Sequence, residues 1–259
     1  MIAPFNPMKD LKDIIGRAID NYGKAAAGAA IPRKRFCFPI DSQRAADLLK
    51  IEYKKGVEAR NRIFIDDNET AQRVQIAANW LTNPDCRPWL LLYGLPSTGK
   101  TILAQAIQRI AEELKGLFNP QIVQEQRCRA VGKYIPLNEE EKRLLSMCEA
   151  AVIVPAFKTA RDLAKMAVTS KAEFEGAKKC DFLIIDELGE DPVSVWEWKN
   201  EYLPLTEILD YRYRAMLPTI ITSNLALNNI AVNYGDRIEQ RMKEMCERYH
   251  SQGDSYRDR

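Results

Sequence analysis

A chain of 259 residues has room for one large α/β domain plus a small appendage, and a hydrophobic share of 46% suffices to bury a core. The formal charge of +2 excludes binding to nucleic acid through bulk basicity, so any such contact needs a local patch. Six scattered cysteines without a C-x-x-C pair, and the single histidine His250, argue against zinc and for free thiols in a reducing cytoplasm.

Met1–Asp10 lacks the basic start and apolar run of a secretory signal, and no apolar stretch is long enough for a bilayer. A cytoplasmic protein without a membrane partner is expected. From Asn6 to about Lys24, Met8, Leu11, Ile14, Ile15, Ala18, Ile19 and Tyr22 recur at three- and four-residue steps, which predicts an amphipathic helix. Its apolar stripe suits a partner's groove or the chain's own core. Gly23–Pro39 then carries Arg33-Lys34-Arg35 beside Phe36 and Phe38. Charge next to stacking surface suits single-stranded nucleic acid, and equally a solvated loop.

A second helix is expected from a cap at Asp41 or Ser42 to about Arg60, and a third from Asp67 or Asn68 through Leu81, ended by Asn83-Pro84-Asp85. Residues 1–60 are accordingly read as a helical partner-binding region with a basic and aromatic linker, and 61–259 as the main domain. From Trp89 onward short apolar runs alternate with helices. The runs Trp89–Tyr93, Ala151–Val154, Phe182–Ile185 and Thr219–Thr222 predict a parallel sheet covered on both faces, a three-layer α/β sandwich. Between the first two lies an insertion-like segment, 118–150, with the basic cluster Arg127, Arg129 and Lys133 and an acidic-led helix starting near Asn138. That cluster is the second candidate for a DNA contact. Glu247–Gln252 is polar and predicts a weak edge strand at most. Trp196 and Trp198 follow the third run, where a partner could approach, although core packing explains at least one of them equally well.

The chemistry is concentrated in four places. Gly94-Leu95-Pro96-Ser97-Thr98-Gly99-Lys100-Thr101 is a complete G-x-x-x-x-G-K-[ST] loop between a predicted strand and a predicted helix, Ile102–Leu114. Such a loop wraps phosphates with backbone N–H groups from Gly94 through Ile102 and the positive end of the following helix. Lys100 is placed to reach the β and γ phosphates of ATP, and the Thr101 hydroxyl to ligate Mg²⁺. Roughly eighty-five residues later a strand ends in Asp186-Glu187. This is a Walker B pattern in which Asp186 holds the metal through water and Glu187 polarises the attacking water. Asn224, just beyond the run Thr219–Thr222, is assigned to sensing the γ phosphate or lytic water, with a helix cap as the plainer alternative. Arg237 and Arg241 are four apart and share a helix face. They are candidates for an arginine finger reaching a neighbouring subunit, Arg241 ahead of Arg237, or for a solvated face paired with Glu239 and Glu244.

In this order the motifs resemble the AAA+ ATPases of the bacterial helicase-loader and transposition-helper family (DnaC/IstB type). FLIIDELG at 182–189, ILDYRYRAMLPTIITSNL at 208–225, YGDRIEQRM at 234–242 and GDSYR at 253–257 carry the resemblance, which covers about Asn61 to Arg259. It implies an AAA+ domain at 61–259, a further phosphate-sensing role for Arg257, and an ATP-dependent homo-oligomer. Segment 118–150 is longer than the family's usual connection, and about thirty-five residues after Asn224 leave no space for a helical lid. Closure of the pocket would then fall to neighbouring subunits or a partner. The expected function is an ATPase that loads a replicative helicase, contacting DNA in single-stranded form. A transposition helper that coats duplex DNA and recruits a transposase uses the same parts. A small-molecule kinase would need an acceptor pocket, for which the sequence carries no signal.

Overall fold

The computed structural model describes residues 37–197 and 200–251. The expected helix at Asn6–Lys24, the patch Arg33–Phe36, Trp198 and Arg257 lie outside these residues, as does the side chain of Trp196.

Helix α1 (Ser42–Glu58) starts where the Asp41 carboxylate accepts the Arg44 N–H at 2.9 Å, and α2 (Asn68–Thr82) where Asp67 accepts the Thr70 N–H at 2.8 Å. Strand β1 (Trp89–Gly94) leads into α3 (Lys100–Leu117). Then come α4 (Pro120–Val131), α5 (Glu139–Ala151), β2 (Ala156–Thr159), α6 (Ala160–Thr169), α7 (Lys171–Lys179) and β3 (Leu183–Leu188). A short antiparallel hairpin, β4 (Val195–Glu197) with β5 (Asn200–Tyr202), precedes α8 (Pro204–Arg214). The chain continues through β6 (Thr219–Ser223), α9 (Leu227–Tyr234), α10 (Asp236–Met245) and β7 (Cys246–Ser251).

Five strands form one parallel sheet in the order β2-β3-β6-β1-β7. Successive side chains on a strand point to opposite faces, and both faces are buried here. Leu90, Leu92, Ile184 and Ile220 join the core under α1 to α5. Trp89, Leu91, Leu183, Ile185 and Ile221 join the core under α6 to α10. The runs therefore read as continuously apolar because each alternate residue serves a different core.

The structure corrects two expectations. The second strand is not Ala151–Val154. Asn138 caps α5 reciprocally with Glu141, and that helix runs on through Ala151. Pro155 has no N–H to give to a ladder, so pairing with β3 begins at Ala156, whose N–H donates to the Phe182 carbonyl at 3.0 Å. The division at residue 60 also fails to match a packing boundary. Leu49, Tyr53 and Val57 of α1 are wholly buried in the same core as α2 and α3, and Phe38 is 2% exposed with its N–H on the Leu81 carbonyl. The polar final strand is an edge strand, as expected, yet it pairs with β1 along six residues. The hairpin β4–β5 was not anticipated.

Helix α3, after β1, covers one face of the sheet, whereas α9 and α10, after β6, cover the other. The two connections diverge at the carboxyl ends of adjacent strands. A parallel sheet opens a crevice at such a point, and ligands bind there.

Candidate functional site

The loop 94–99 lies in that crevice, and three of its residues have left-handed backbones: Gly94 (φ 130°), Ser97 (φ 64°) and Gly99 (φ 88°). Two of these positions need glycine for reasons internal to the fold as well as for phosphate. A Cβ on Gly94 would lie 2.2 Å from the Ser251 carbonyl oxygen of β7, and one on Gly99 would lie 2.0 Å from the Tyr53 hydroxyl of α1. Lys100, at the first turn of α3, folds back to donate to the carbonyls of Gly94 (3.0 Å) and Leu95 (2.6 Å). Burial, then the nearby Arg73 cation, lowers its pKa to about 8, against the opposite pull of Asp186 and Glu187.

Thr101 and Asp186, 85 residues apart in sequence, meet: the threonine hydroxyl donates to Asp186 Oδ1 at 2.9 Å. The Thr222 hydroxyl, from β6, donates to the same oxygen at 2.5 Å and accepts the Glu187 N–H at 2.9 Å. A hydroxyl and a buried carboxylate side by side form the oxygen donor set that Mg²⁺ takes alongside phosphate and water, so the residues present fit that ion.

Glu187 has a left-handed backbone (φ 59°) at a register shift between β3 and β6. This conformation is uncommon for a residue with a Cβ and recurs at functional sites. It turns the exposed Glu187 side chain into the cleft, which holds about 250 Å³. Pro96, Ser97, Gly99, Lys100, Thr101, Ile102, Thr222, Ser223 and Asn224 line the same space. Asn224 is exposed there and does not cap α9, whose N-cap is Ala226.

Behind the loop, Arg73 of α2 is 3% exposed. It donates to the Thr98 carbonyl and to the Tyr53 hydroxyl (2.7 Å) and pairs with Glu69 at 2.8 Å. Glu69 in turn accepts from the Tyr249 hydroxyl through its carbonyl (3.1 Å) and from Ser251 through its carboxylate (3.3 Å). The loop is thus braced by α1, α2 and β7 together.

The structure does not bring Arg237 and Arg241 into the cleft lining. Both pair with Asp210 of α8, Arg237 at 2.9 Å, and Arg214 joins them at 2.8 Å. Arg241 also stacks on the Tyr213 ring at 4.5 Å, and 18% of its side chain is exposed against 67% for Arg237. In the 118–150 segment Arg127 is tied to Glu141 at 2.7 Å with its side chain 10% exposed, so it is spent on joining α4 to α5. Arg129 is exposed, and its contact with Glu125 at 3.5 Å is a surface pair.

Sequence reasoning missed Thr222, Arg73, Arg60 and Arg62, the last two of which also line the cleft. Thr222 lies inside the assigned strand, where a hydroxyl at the end of an apolar pair, Ile220-Ile221, was the available signal. Glu69 and Arg73, four apart on one helix, read as an ordinary surface pair, and the contacts of Arg73 with Tyr53 and Thr98 carry no local signal because those partners come from other elements.

The sheet order, the seating of the loop after β1 and the acids at the end of β3, with β6 between the two strands, define the class: a P-loop α/β fold. Solved structures with a similar chain course include the DnaC helicase loader (17% identity, TM-score 0.47, covering 77% of this chain and 98% of that one) and DnaI (16%, 0.47, 78% and 93%). AMPPCP-bound DnaA from Aquifex aeolicus is another (17%, 0.46, 74% and 49%). No family model matches the chain, and no curated protein does. The class assignment rests on the chain's own topology and loop geometry.

Proposed function

We propose that this chain binds ATP with Mg²⁺ in the cleft and hydrolyses it, in an assembly that loads a replicative helicase onto single-stranded DNA. The observation that carries the nucleotide reading is the 2.9 Å contact between Thr101 and Asp186, since it joins the phosphate loop to the acid-bearing strand at one oxygen site. The loader role rests on the sequence blocks that resemble the helicase-loader family. In this reading Lys100 exchanges the carbonyls of Gly94 and Leu95 for the β and γ phosphates. Thr101 and Asp186 would hold Mg²⁺, and that ion would supply charge neutralisation. Glu187 orients a water in line with the γ phosphorus and draws on its proton as the bond to the ADP oxygen breaks. Asn224, just past β6 in the same cleft, senses the γ phosphate. Asp210 presents Arg237, the more exposed of the two arginines, toward a neighbouring subunit, and Arg241 fixes the helix that carries it.

Glu187→Gln is the decisive variant. It should keep MgATP uptake, measured by calorimetry, while turnover falls by about 10²–10⁴. Used as bait in the native cell, it should retain an ATP-bound assembly and a replicative helicase. Undiminished turnover would show that Glu187 has been given the wrong role. Recovery of a transposase in place of a helicase would overturn the loader reading and leave the ATPase standing.

A further inference from the structure

The loop between α1 and α2 brings two cations to the nucleotide cleft from within the same subunit. Arg60 and Arg62 both line it, beside Gly99, Lys100, Thr101 and Ile102. Arg60 Nη2 donates to Gln105 Oε1 at 3.2 Å, which sets this loop along α3 one turn beyond Thr101. Arg62 is half-buried, yet it makes no hydrogen bond or ion pair among the described residues. A partly desolvated guanidinium without an internal anion is unfavourable unless a ligand supplies one.

The direction of the cleft says which part of a nucleotide it meets. Lys100 marks the β and γ phosphates, and Glu187 and Asn224 mark the γ end. Arg60, held on Gln105, sits instead along the flank of α3, and Arg62 follows it in the same loop and lines the same cleft. We propose that Arg62, with Arg60 braced on Gln105, binds the α-phosphate and ribose end of the nucleotide from its own subunit, as a clamp distinct from any finger contributed by a neighbour. The proposal rests on the nucleotide reading above and deepens it. A guanidinium fork matches two phosphate oxygens, or one oxygen and a ribose hydroxyl, which a lysine point charge does not.

ATP and ADP share this end of the molecule, and it does not change as the γ phosphate is transferred. The clamp therefore contributes equally to ground and transition states, which shows as KM without kcat. Arg62→Ala should weaken both MgATP and MgADP by about tenfold, the size of one charge-assisted hydrogen bond, and leave their affinity ratio unchanged. KM for ATP should rise with kcat at saturation retained, and Arg62→Lys should recover part of the loss. Arg62 lies on a loop, so an unchanged melting temperature should accompany these effects. Unaltered affinities, a loss confined to ATP, or a fall in kcat would each overturn the clamp. Wild-type protein that takes up no MgATP would instead remove the nucleotide reading on which the clamp stands.

Discussion

At the scale of single residues, the charge on Lys100 is held at a cost that a polyanion would remove. Burial and Arg73 lower its pKa to about 8, and it donates to the Gly94 and Leu95 carbonyls and, at 3.5 Å, to the Thr98 hydroxyl, all of them neutral acceptors. Phosphate oxygens favour the protonated amine, so binding above pH 8 draws a proton from solvent. MgATP affinity should hold steady from pH 7 to about 8 and then fall as pH rises, by up to tenfold per unit. Calorimetry in buffers of different ionisation heat should record proton uptake at pH 9 and little at pH 7; a flat profile to pH 9.5 would contradict this account. The same depression below 10.5 means the unfolded chain binds more protons at this position between about pH 8 and 10.5. Lys100 by itself thus makes the nucleotide-free fold more stable as pH climbs through that window.

Among elements, the junction of α8 with α10 concentrates charge. Asp210, 8% exposed, accepts Arg214 from its own helix and Arg237 and Arg241 from α10. Removing the acid leaves three guanidiniums facing one another. Asp210→Ala should destabilise the fold by about 1–3 kcal/mol, less than a fully buried pair because two of the arginines are largely exposed. Amide exchange in α10 should quicken with it. An unchanged urea midpoint would mean that solvent already screens this cluster. A second tie crosses the same face: the Tyr234 hydroxyl at the end of α9 donates to Asp191, which also accepts the Gly189 N–H at 3.1 Å. Asp191 sits four residues past Glu187, so the turn that follows the proposed catalytic acid is joined to the end of α9, the helix that leads into the arginine-bearing α10. By contrast Arg212 of α8 is internal scaffolding. It is fully buried and donates to the carbonyls of Lys178, Cys180 and Pro218.

For the whole molecule, the packing of α1 decides where the chain can be cut. Phe38 and Ile40 lie in the core, 2% and 8% exposed, so the first forty residues are not a detachable unit. A chain beginning at Cys37 keeps both core side chains and should retain MgATP uptake. One beginning at Asp41 should lose several kcal/mol, from two large apolar side chains removed from a packed site. Equal midpoints for the two truncations would show that Phe38 and Ile40 contribute nothing to the core. Capture of the proposed helicase partner should be lost in both, because the apolar stripe Met8–Tyr22 is missing from each.

The sequence by itself determined the sheet strands that are apolar on both faces, the helices that start at Asp41, Asp67 and Asn138, and the loop at 94–101. Each is written in contiguous residues: alternation serving two cores, a side chain that satisfies a free N–H, and a motif whose spacing is local. The position of the second strand was missed because capping and a proline outweigh a run of apolar residues, and both sides of that competition depend on what β3 offers as a partner. Only the tertiary structure decided which residues share the cleft. Thr222 meets Asp186, Arg73 braces Thr98, and Arg60 reaches Gln105 of α3, although no local pattern relates the members of these pairs. Such contacts arise from strand order and from the opposite faces taken by α3 and α9, and chain topology of that kind is set by the packing of the two cores as a whole.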